Sequence, residues 1–341
     1  MNHRALVRTI AIAAFSLCLC VVVLGAYVRL SNAGLGCPDW PGCYGHLTPA
    51  AAAADAHTLS DPLAGRVLNV GKAWREMLHR YAAGTLATLI ICFAALTALW
   101  RRERIVAPWY TAALVAVVMF QALLGALTVT RQLKPLIVTS HLIFGFTTLS
   151  LLWWQVLALW WQRSRSAPAA SGGASRATRT LALIGLCLLS LQIALGGWTS
   201  SNYAAIACPD LPTCQGSWWP NADFRSAFVV WRDLNIDYEG GVLANAARVA
   251  IHLTHRAGAA IVTLALLVAA SAAVRRRHPP RVRVAAGFTF LALALQLSIG
   301  IGMVWRGFPL WLATAHNAGA ALLLLAALAL YRSQALSHEP T

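Results

Sequence analysis

Charged side chains are scarce in this chain, and acidic ones are the scarcest. Only 11% of the 341 residues are charged, with 11 Asp and Glu against 27 Lys and Arg, whereas 59% are hydrophobic. About a quarter of the residues in a soluble domain are charged, because a soluble surface needs them. The composition therefore excludes an ordinary soluble globular protein, and the shortage of acids leaves a formal net charge of +16.

The hydrophobic residues are grouped into long apolar runs. Eight of them are near the length that spans a bilayer, at about 8–30, 77–100, 107–130, 136–161, 180–199, 247–274, 284–304 and 309–331. The first run is too long for the core of a signal peptide, and Ala26-Tyr27-Val28-Arg29 is a poor cleavage site. We therefore expect an all-α polytopic membrane protein with eight transmembrane helices, the first of them retained.

The basic residues predict an orientation. More than half of them lie at the two termini and in the segments after the second, fourth and sixth runs. The positive-inside rule then puts both termini in the cytoplasm. Because these arginines are scattered over short loops instead of gathered on one soluble face, nucleic-acid binding is disfavoured.

The chain contains an internal repeat, which sets its domain organisation. Cys37-Pro-Asp-Trp-Pro-Gly-Cys43 aligns with Cys208-Pro-Asp-Leu-Pro-Thr-Cys214, and Gln121 and Gly125 align with Gln296 and Gly300. Four helices per half predict a parallel repeat of two pseudo-symmetric four-helix bundles, at 1–165 and 180–341. Residues 166–179, rich in Ser, Ala, Gly and Arg, are the predicted cytoplasmic linker.

Four histidines recur at matching places, each just inside an apolar run that begins outside. His79 and His141 belong to the first half, His255 and His316 to the second. Each lies about 10 Å below the outer surface by helical rise. A lone intramembrane histidine is more often a packing residue, but two pairs in a repeated pattern favour axial ligation of haem iron. A bare metal ion is less attractive because no carboxylate or thiolate accompanies most of them.

The two outer segments each contain one pair of cysteines. Disulfide bonds Cys37–Cys43 and Cys208–Cys214 are expected on an oxidising face. A redox-active dithiol in the first segment is the alternative, and a zinc site is unfavoured because the spacing is not typical of zinc. The remaining cysteines lie within apolar runs and have the character of small hydrophobic residues.

Charged residues beside the histidines are further candidates. Guanidinium groups pair well with haem propionates; the alternative for each is interfacial snorkelling. The candidates are Arg80, Arg131, Arg256 and Arg306. Glu76 precedes His79 by one helical turn, where the second half has His252. Glu76 is either a group that acts on the haem or an acid at a helix start.

Together these residues resemble the haem A synthase family over nearly the whole chain. The resemblance rests on the segment from Gly25 to Trp40, Glu76-Met-Leu-His79-Arg80, His141, His252-Leu-Thr-His255-Arg256 and His316. It implies haem b held firmly by His255 and His316, with haem O as substrate between His79 and His141. It also implies that Glu76 acts in oxidising a ring methyl to a formyl group, through successive hydroxylations and loss of water.

Partners and alternatives follow from that resemblance. It implies an enzyme that supplies haem O, an electron acceptor and a lipid environment in a bacterial cytoplasmic membrane, with the cysteine segments on the periplasmic face; a homo-oligomer is left open. Two other functions stay open: a di-haem b-type electron-transfer protein and a haem transporter. Stoichiometry separates them, because an electron carrier holds two permanent haems, a transporter holds none tightly, and a synthase exchanges one.

Overall fold

The computed structural model describes residues 3–55, 67–103, 105–161, 176–234, 236–275 and 278–335. Over these ranges all regular structure is helical, apart from isolated bridges in the two cysteine segments. The α-helices are α1 (His3–Leu30), α2 (Pro49–Ala54), α3 (Val70–Leu99), α4 (Pro108–Thr130), α5 (Pro135–Trp161), α6 (Arg176–Ser201), α7 (Phe224–Ala227), α8 (Asn245–Ala273), α9 (Pro280–Trp305) and α10 (Leu310–Ala335).

The eight long helices are those predicted from the apolar runs. Each is long and apolar enough to cross a membrane, which confirms the all-α polytopic class. Four begin at least four residues earlier than expected, including α1 at His3 and α9 at Pro280. Helix α3 begins at Val70, where the Asn69 side chain accepts a hydrogen bond from the Lys72 N–H, and α6 begins at Arg176.

The early start of α6 changes the predicted linker. Residues 176–179 are helical, because Arg and Ala favour a helix and extend it beyond the apolar run. The rest of the linker, at 166–175, and the boundary at 165 lie outside the described residues.

Contacts divide the described chain into two compact units. The first draws on Met1–Leu152, Ser200–Tyr203 and Phe228–Leu243, and the second on Trp153–Thr199, Ala204–Ala227 and Ala244–Thr341. Each unit thus contains two of the four histidines. The division passes through α5 after Leu152, and part of the second outer segment packs in the first unit, where Tyr238 joins a buried cluster with Leu35, Val129 and Leu133.

Four helices end in the same way. After α1, α4, α6 and α9 a residue takes a left-handed conformation, at Asn32, Gln132, Tyr203 and Gly307. In each case the next N–H bonds to the carbonyl five residues back, as Ala33 does to Val28. This double-bonded cap satisfies carbonyls that the helix end leaves open. The cap stops each helix at a defined residue. The residues before it therefore lie at fixed distances from the helix end.

Candidate functional site

Each of the four histidines packs against a glycine on the long helix that precedes its own. A Cβ atom added to the glycine would lie close to Cε1 of the imidazole, at 2.8 Å for Gly25 and His79, 3.3 Å for Gly125 and His141, 3.3 Å for Gly196 and His255, and 3.0 Å for Gly300 and His316. Each ring therefore occupies the space that the Cβ atom of any residue other than glycine would fill. Each glycine stands seven residues before the left-handed cap, at 25 and 32, 125 and 132, 196 and 203, and 300 and 307.

The histidines are paired within each unit. His79 and His141 are close enough to interact electrostatically, and so are His255 and His316. All four are only partly buried. Nδ1 of His79, His141 and His316 is nevertheless buried and has no hydrogen-bond partner among the described residues. Two imidazoles on separate helices, with polar atoms left over, form a site that can take a ligand.

Three glutamines contact these histidines from the glycine-bearing helices. Nε2 of Gln121 donates to the His141 carbonyl at 2.8 Å, and Nε2 of Gln192 donates to the His255 carbonyl at 2.9 Å. The Gln192 amide also lies 3.0 Å from Nδ1 of His255, and Nε2 of Gln296 lies 3.3 Å from Nε2 of His316. The sequence alignment used Gln121 and Gln296 only as markers of the repeat and missed Gln192. The signal was a Gln four residues before three of the four glycines.

Both cysteine pairs form the expected disulfide bonds, Cys37–Cys43 and Cys208–Cys214. An aspartate orders each bonded loop. Asp39 accepts from the N–H groups of Tyr44 and Gly45, and Asp210 accepts from those of Gln215 and Gly216. The two loops thus share one internal design.

The aspartate of the second loop is held in its charged form. The hydroxyl of Thr213 donates to Asp210, and the N–H groups of Gly216 and Gln215 add to this, so that the pKa of this carboxyl lies below its usual range. Hydrogen bonds to a carboxylate favour its ionised form. Asp210 is therefore a charge-dependent support of the loop.

Two of the four candidate arginines are committed to these loops. Arg80 donates to the carbonyl groups of Asp39, Pro41 and Gly42. Arg256 donates to those of Cys208, Asp210 and Thr213. Both guanidinium groups therefore connect a histidine-bearing helix to a disulfide loop, a role that sequence reasoning missed. Arg131 and Arg306, which cap α4 and α9, are exposed and keep the propionate contact as a prediction.

Glu76 is buried in the second turn of α3, with 4% of its surface exposed. Oε1 lies 2.5 Å from a guanidinium nitrogen of Arg80, and Oε2 accepts from the Cys37 N–H at 2.9 Å. A helix that begins at Val70 excludes the interpretation of Glu76 as an acid at the helix start. In the second unit His252 takes this place, and Nε2 accepts from Nε of Arg256 at 3.3 Å.

Lys134 is a further polar residue that the sequence did not point out. It lies between α4 and α5 in the first unit with 1% of its surface exposed. Its Nζ is 3.5 Å from the centroid of the Trp231 ring and has no hydrogen-bond partner among the described residues. A lysine directly before a helix-starting proline was the available signal. The face of the Trp231 ring attracts the positive charge of Lys134, which partly replaces the contact with water that burial removes.

Comparison with known proteins places these features in a family. Residues 8–328 match the COX15-CtaA family, described as cytochrome oxidase assembly protein. The chain belongs to this family. It is 40% identical over 308 residues to the heme A synthase of Shewanella oneidensis, covering 90% of each chain. It is 27% identical over 270 residues to the heme A synthase of Shouchella clausii, covering 78% of this chain and 75% of that one.

Proposed function

We propose that this protein is a haem A synthase, which oxidises a ring methyl group of haem O to a formyl group and so provides haem A for terminal oxidases. Family membership and the heme A synthases among its relatives support this reaction. The observation that carries the proposal in the structure is the pairing of partly buried imidazoles, two in each unit, over glycines that leave room for them.

The residues of the second unit fit a resident haem b. His255 and His316 come from different helices and lie near each other, so these two side chains would hold the iron of one haem. Gln192 lies at Nδ1 of His255, which leaves Nε2 of that ring for the metal, whereas the Gln296 amide would have to turn away from Nε2 of His316 for that nitrogen to bind. No group of three metal-ligating side chains gathers within the described residues, so the histidines alone would hold the iron. When bound, haem b would supply one-electron redox chemistry.

The first unit suits the substrate. His79 and His141 would hold haem O, with Nδ1 of each ring buried and unpartnered among the described residues. The exposed Arg131 is available to a propionate at the end of α4, and Arg306 is its counterpart at the end of α9. The histidines would hold the haem, while α3 places Glu76 one turn from His79.

Glu76 is our candidate catalytic residue. Its carboxylate is anchored by Arg80 and by the Cys37 N–H, so its position relative to α3 is fixed. We propose that this fixed negative charge stabilises positive charge that develops at the substrate methyl carbon, or positions the oxygen donor. Because its charge is shared with Arg80, the pair acts as an oriented dipole. His252 cannot provide this dipole in the second unit.

The proposed setting is a bacterial cytoplasmic membrane, with both termini inside and the disulfide loops on the periplasmic side. Haem O would reach the site through the lipid, from the enzyme that makes it. An electron acceptor must take the electrons that the oxidation releases. The basic loops need no nucleic acid, because the positive-inside rule accounts for them.

The test is extraction and chromatography of haems from cells that make haem O, with and without this chain. Haem A should appear only with the chain, and the purified protein should retain one haem b per molecule. Two permanent haems without haem A would favour the di-haem electron carrier and overturn the synthase. Absence of tightly bound haem, together with uptake of haem into vesicles, would favour the transporter.

A further inference from the structure

Three of the four histidine sites contain a reciprocal pair of notches. The first notch is the glycine under the imidazole. The second is a glycine on the histidine-bearing helix, and the glutamine of the opposite helix packs on it. A Cβ atom added to Gly145 would lie 3.2 Å from Nε2 of Gln121, and one added to Gly258 or Gly319 would overlap the amide oxygen of Gln192 or Gln296.

This arrangement restrains the histidine from two sides. Because a glycine lies under each contact, the two helices approach closely and the glutamine amide reaches the backbone or ring of the histidine. A ligand whose orientation is fixed before binding loses less conformational entropy when the iron binds. Supporting hydrogen bonds of this kind also hold a metal ligand in its productive geometry.

The fourth site, at His79, lacks the second notch. The residue four positions before Gly25 is Val21, and Ala82 stands where Gly258 stands in the aligned helix. Val21 is buried and apolar, so it offers no amide. The His79 ring bonds to the backbone at Val21, as the His141 ring does at Gln121, but among the described residues no side-chain hydrogen bond reaches it. His79 therefore keeps the glycine beneath it but has no glutamine to hold it.

We propose that His79 is the releasable ligand of the protein, and that Gln121, Gln192 and Gln296 are positioning residues for the three held ligands. The inference rests on the proposed function and deepens it, because it names the histidine that would bind substrate haem on entry and let product haem go on release. His141, whose backbone is bonded to Gln121, stays as the fixed side of that site. The missing Gln–Gly pair makes the first unit an exchange site.

The decisive experiment installs the missing pair. In Val21→Gln/Ala82→Gly, the new amide can reach the His79 helix as Gln192 reaches that of His255. The matched control, Val21→Met/Ala82→Gly, has a side chain of similar length without the amide. Purified proteins are loaded with haemin, and the loss of haem to excess apomyoglobin is followed by absorbance. The glutamine variant should release the first-unit haem about fivefold more slowly than the control, the factor expected for one typical hydrogen bond.

The reverse change tests a held ligand. Gln192→Met should speed the loss of haem b and alter the g values of its low-spin electron paramagnetic resonance signal, because the His255 ring is then free to turn. Gln192→Glu keeps the shape of the side chain but removes the N–H donor to the His255 carbonyl, and should lose haem b about as fast as the methionine variant. A change in ring orientation is a signature that general loosening of the fold would not give.

The experiments distinguish failure of the inference from failure of the proposed function. Equal release rates for the Val21→Gln/Ala82→Gly variant and its methionine control, with haem A still made, would overturn the role of His79 alone. Two haems that exchange at one rate, with no haem A made, would overturn both. Release slowed by glutamine in a protein that makes no haem A would support the inference and overturn the synthase.

Discussion

The imidazole of His79 lies directly against the backbone of Gly25. A Cβ atom at position 25 would lie 2.8 Å from Cε1, 3.3 Å from Nε2 and 3.4 Å from Nδ1 of that ring. The whole edge of the imidazole therefore faces the glycine. On the same helix as His79, a Cβ atom at Gly84 would meet nothing within 4 Å, so close approach is not a property of every glycine in these helices.

Alanine in place of the glycines that the imidazoles contact should displace the histidines. Gly25→Ala would force the ring or the helix to move, because a Cβ atom 2.8 Å from a ring carbon is too close, and Gly300→Ala, at 3.0 Å, would push the ring by a few tenths of an ångström. Overpacking of this kind costs about 1–3 kcal/mol, so we expect haem retention at the affected unit to fall about tenfold. Bound haem per purified protein is the measurement.

Gly84→Ala and Gly302→Ala are the matched controls for that prediction. Gly84 lies on the His79-bearing helix α3 and Gly302 lies on α9 with Gly300, both with open space around them, and alanine in a helix interior is favoured over glycine by up to about 1 kcal/mol. They should leave haem content unchanged. If all four variants lose haem alike, the contact between imidazole and glycine has no special role.

The spectrum of the purified protein should depend on His255 and His316. Replacing either by alanine removes one proposed axial ligand, so the low-spin haem b signal should be lost or become high-spin. His79→Ala, in the other unit, should keep that signal. Unchanged low-spin spectra in both His255→Ala and His316→Ala would mean that this pair does not hold the haem.

Glu76→Gln should separate the chemistry from haem holding. Oε1 and Oε2 both accept hydrogen bonds, and the amide can accept with only one atom, so the substitution removes the charge and one acceptor. Haem A should fall more than tenfold, the usual loss for a misplaced acid–base or electrostatic group, while haem b stays. The products are quantified by haem extraction.

Glu76→Asp and His252→Gln are the controls for that change. The first keeps the charge on a shorter side chain and should recover part of the activity. The second makes the equivalent amide in the other unit and should leave haem A formation largely intact. Wild-type amounts of haem A from Glu76→Gln would move the catalytic role elsewhere around His79 and His141.

The disulfide loops should react only from outside and only after reduction. A membrane-impermeant thiol reagent applied to intact cells should label the protein after treatment with an impermeant reductant, and not before. Cys37→Ser/Cys43→Ser should lose the part of the label that belongs to the first loop. Labelling that requires access from the cytoplasmic face would reverse the proposed orientation.

The second loop should loosen in acid. The pKa of Asp210 is lowered in the folded loop, so its contribution is complete above the unfolded value near 4 and is lost as the pH falls through the folded value. Reduction of Cys208–Cys214 by a phosphine should therefore accelerate below about pH 4. Asp210→Asn should reduce at the faster rate already near neutral pH. A wild-type rate with no such rise would show that the carboxylate is not a support.

The sequence was sufficient for everything that depends on composition, periodicity and spacing. Scarce charge and eight apolar runs predicted eight membrane-length helices, because a bilayer requires about 20 apolar residues in a row. The repeated cysteine segments predicted two disulfide bonds. The family could be recognised because its motifs are spread over both halves of the chain. The beginning of α3 was placed too late, because the polar turn before its apolar run, capped by Asn69, has no hydrophobic signal.

Contacts between segments far apart in the chain were decided only by the tertiary structure. Arg80 looked like a partner for a propionate, but folding brings the carbonyl groups of Asp39, Pro41 and Gly42 to it. In the sequence Glu76 was either a group that acts on the haem or an acid at a helix start, and folding brings the Cys37 N–H to its carboxylate. Each histidine was visible in the sequence, whereas the glycine beneath it, and the glutamine that holds three of the four, lie on another helix. Hydrophobic periodicity fixes which helices form, but side-chain packing between them fixes which polar groups meet.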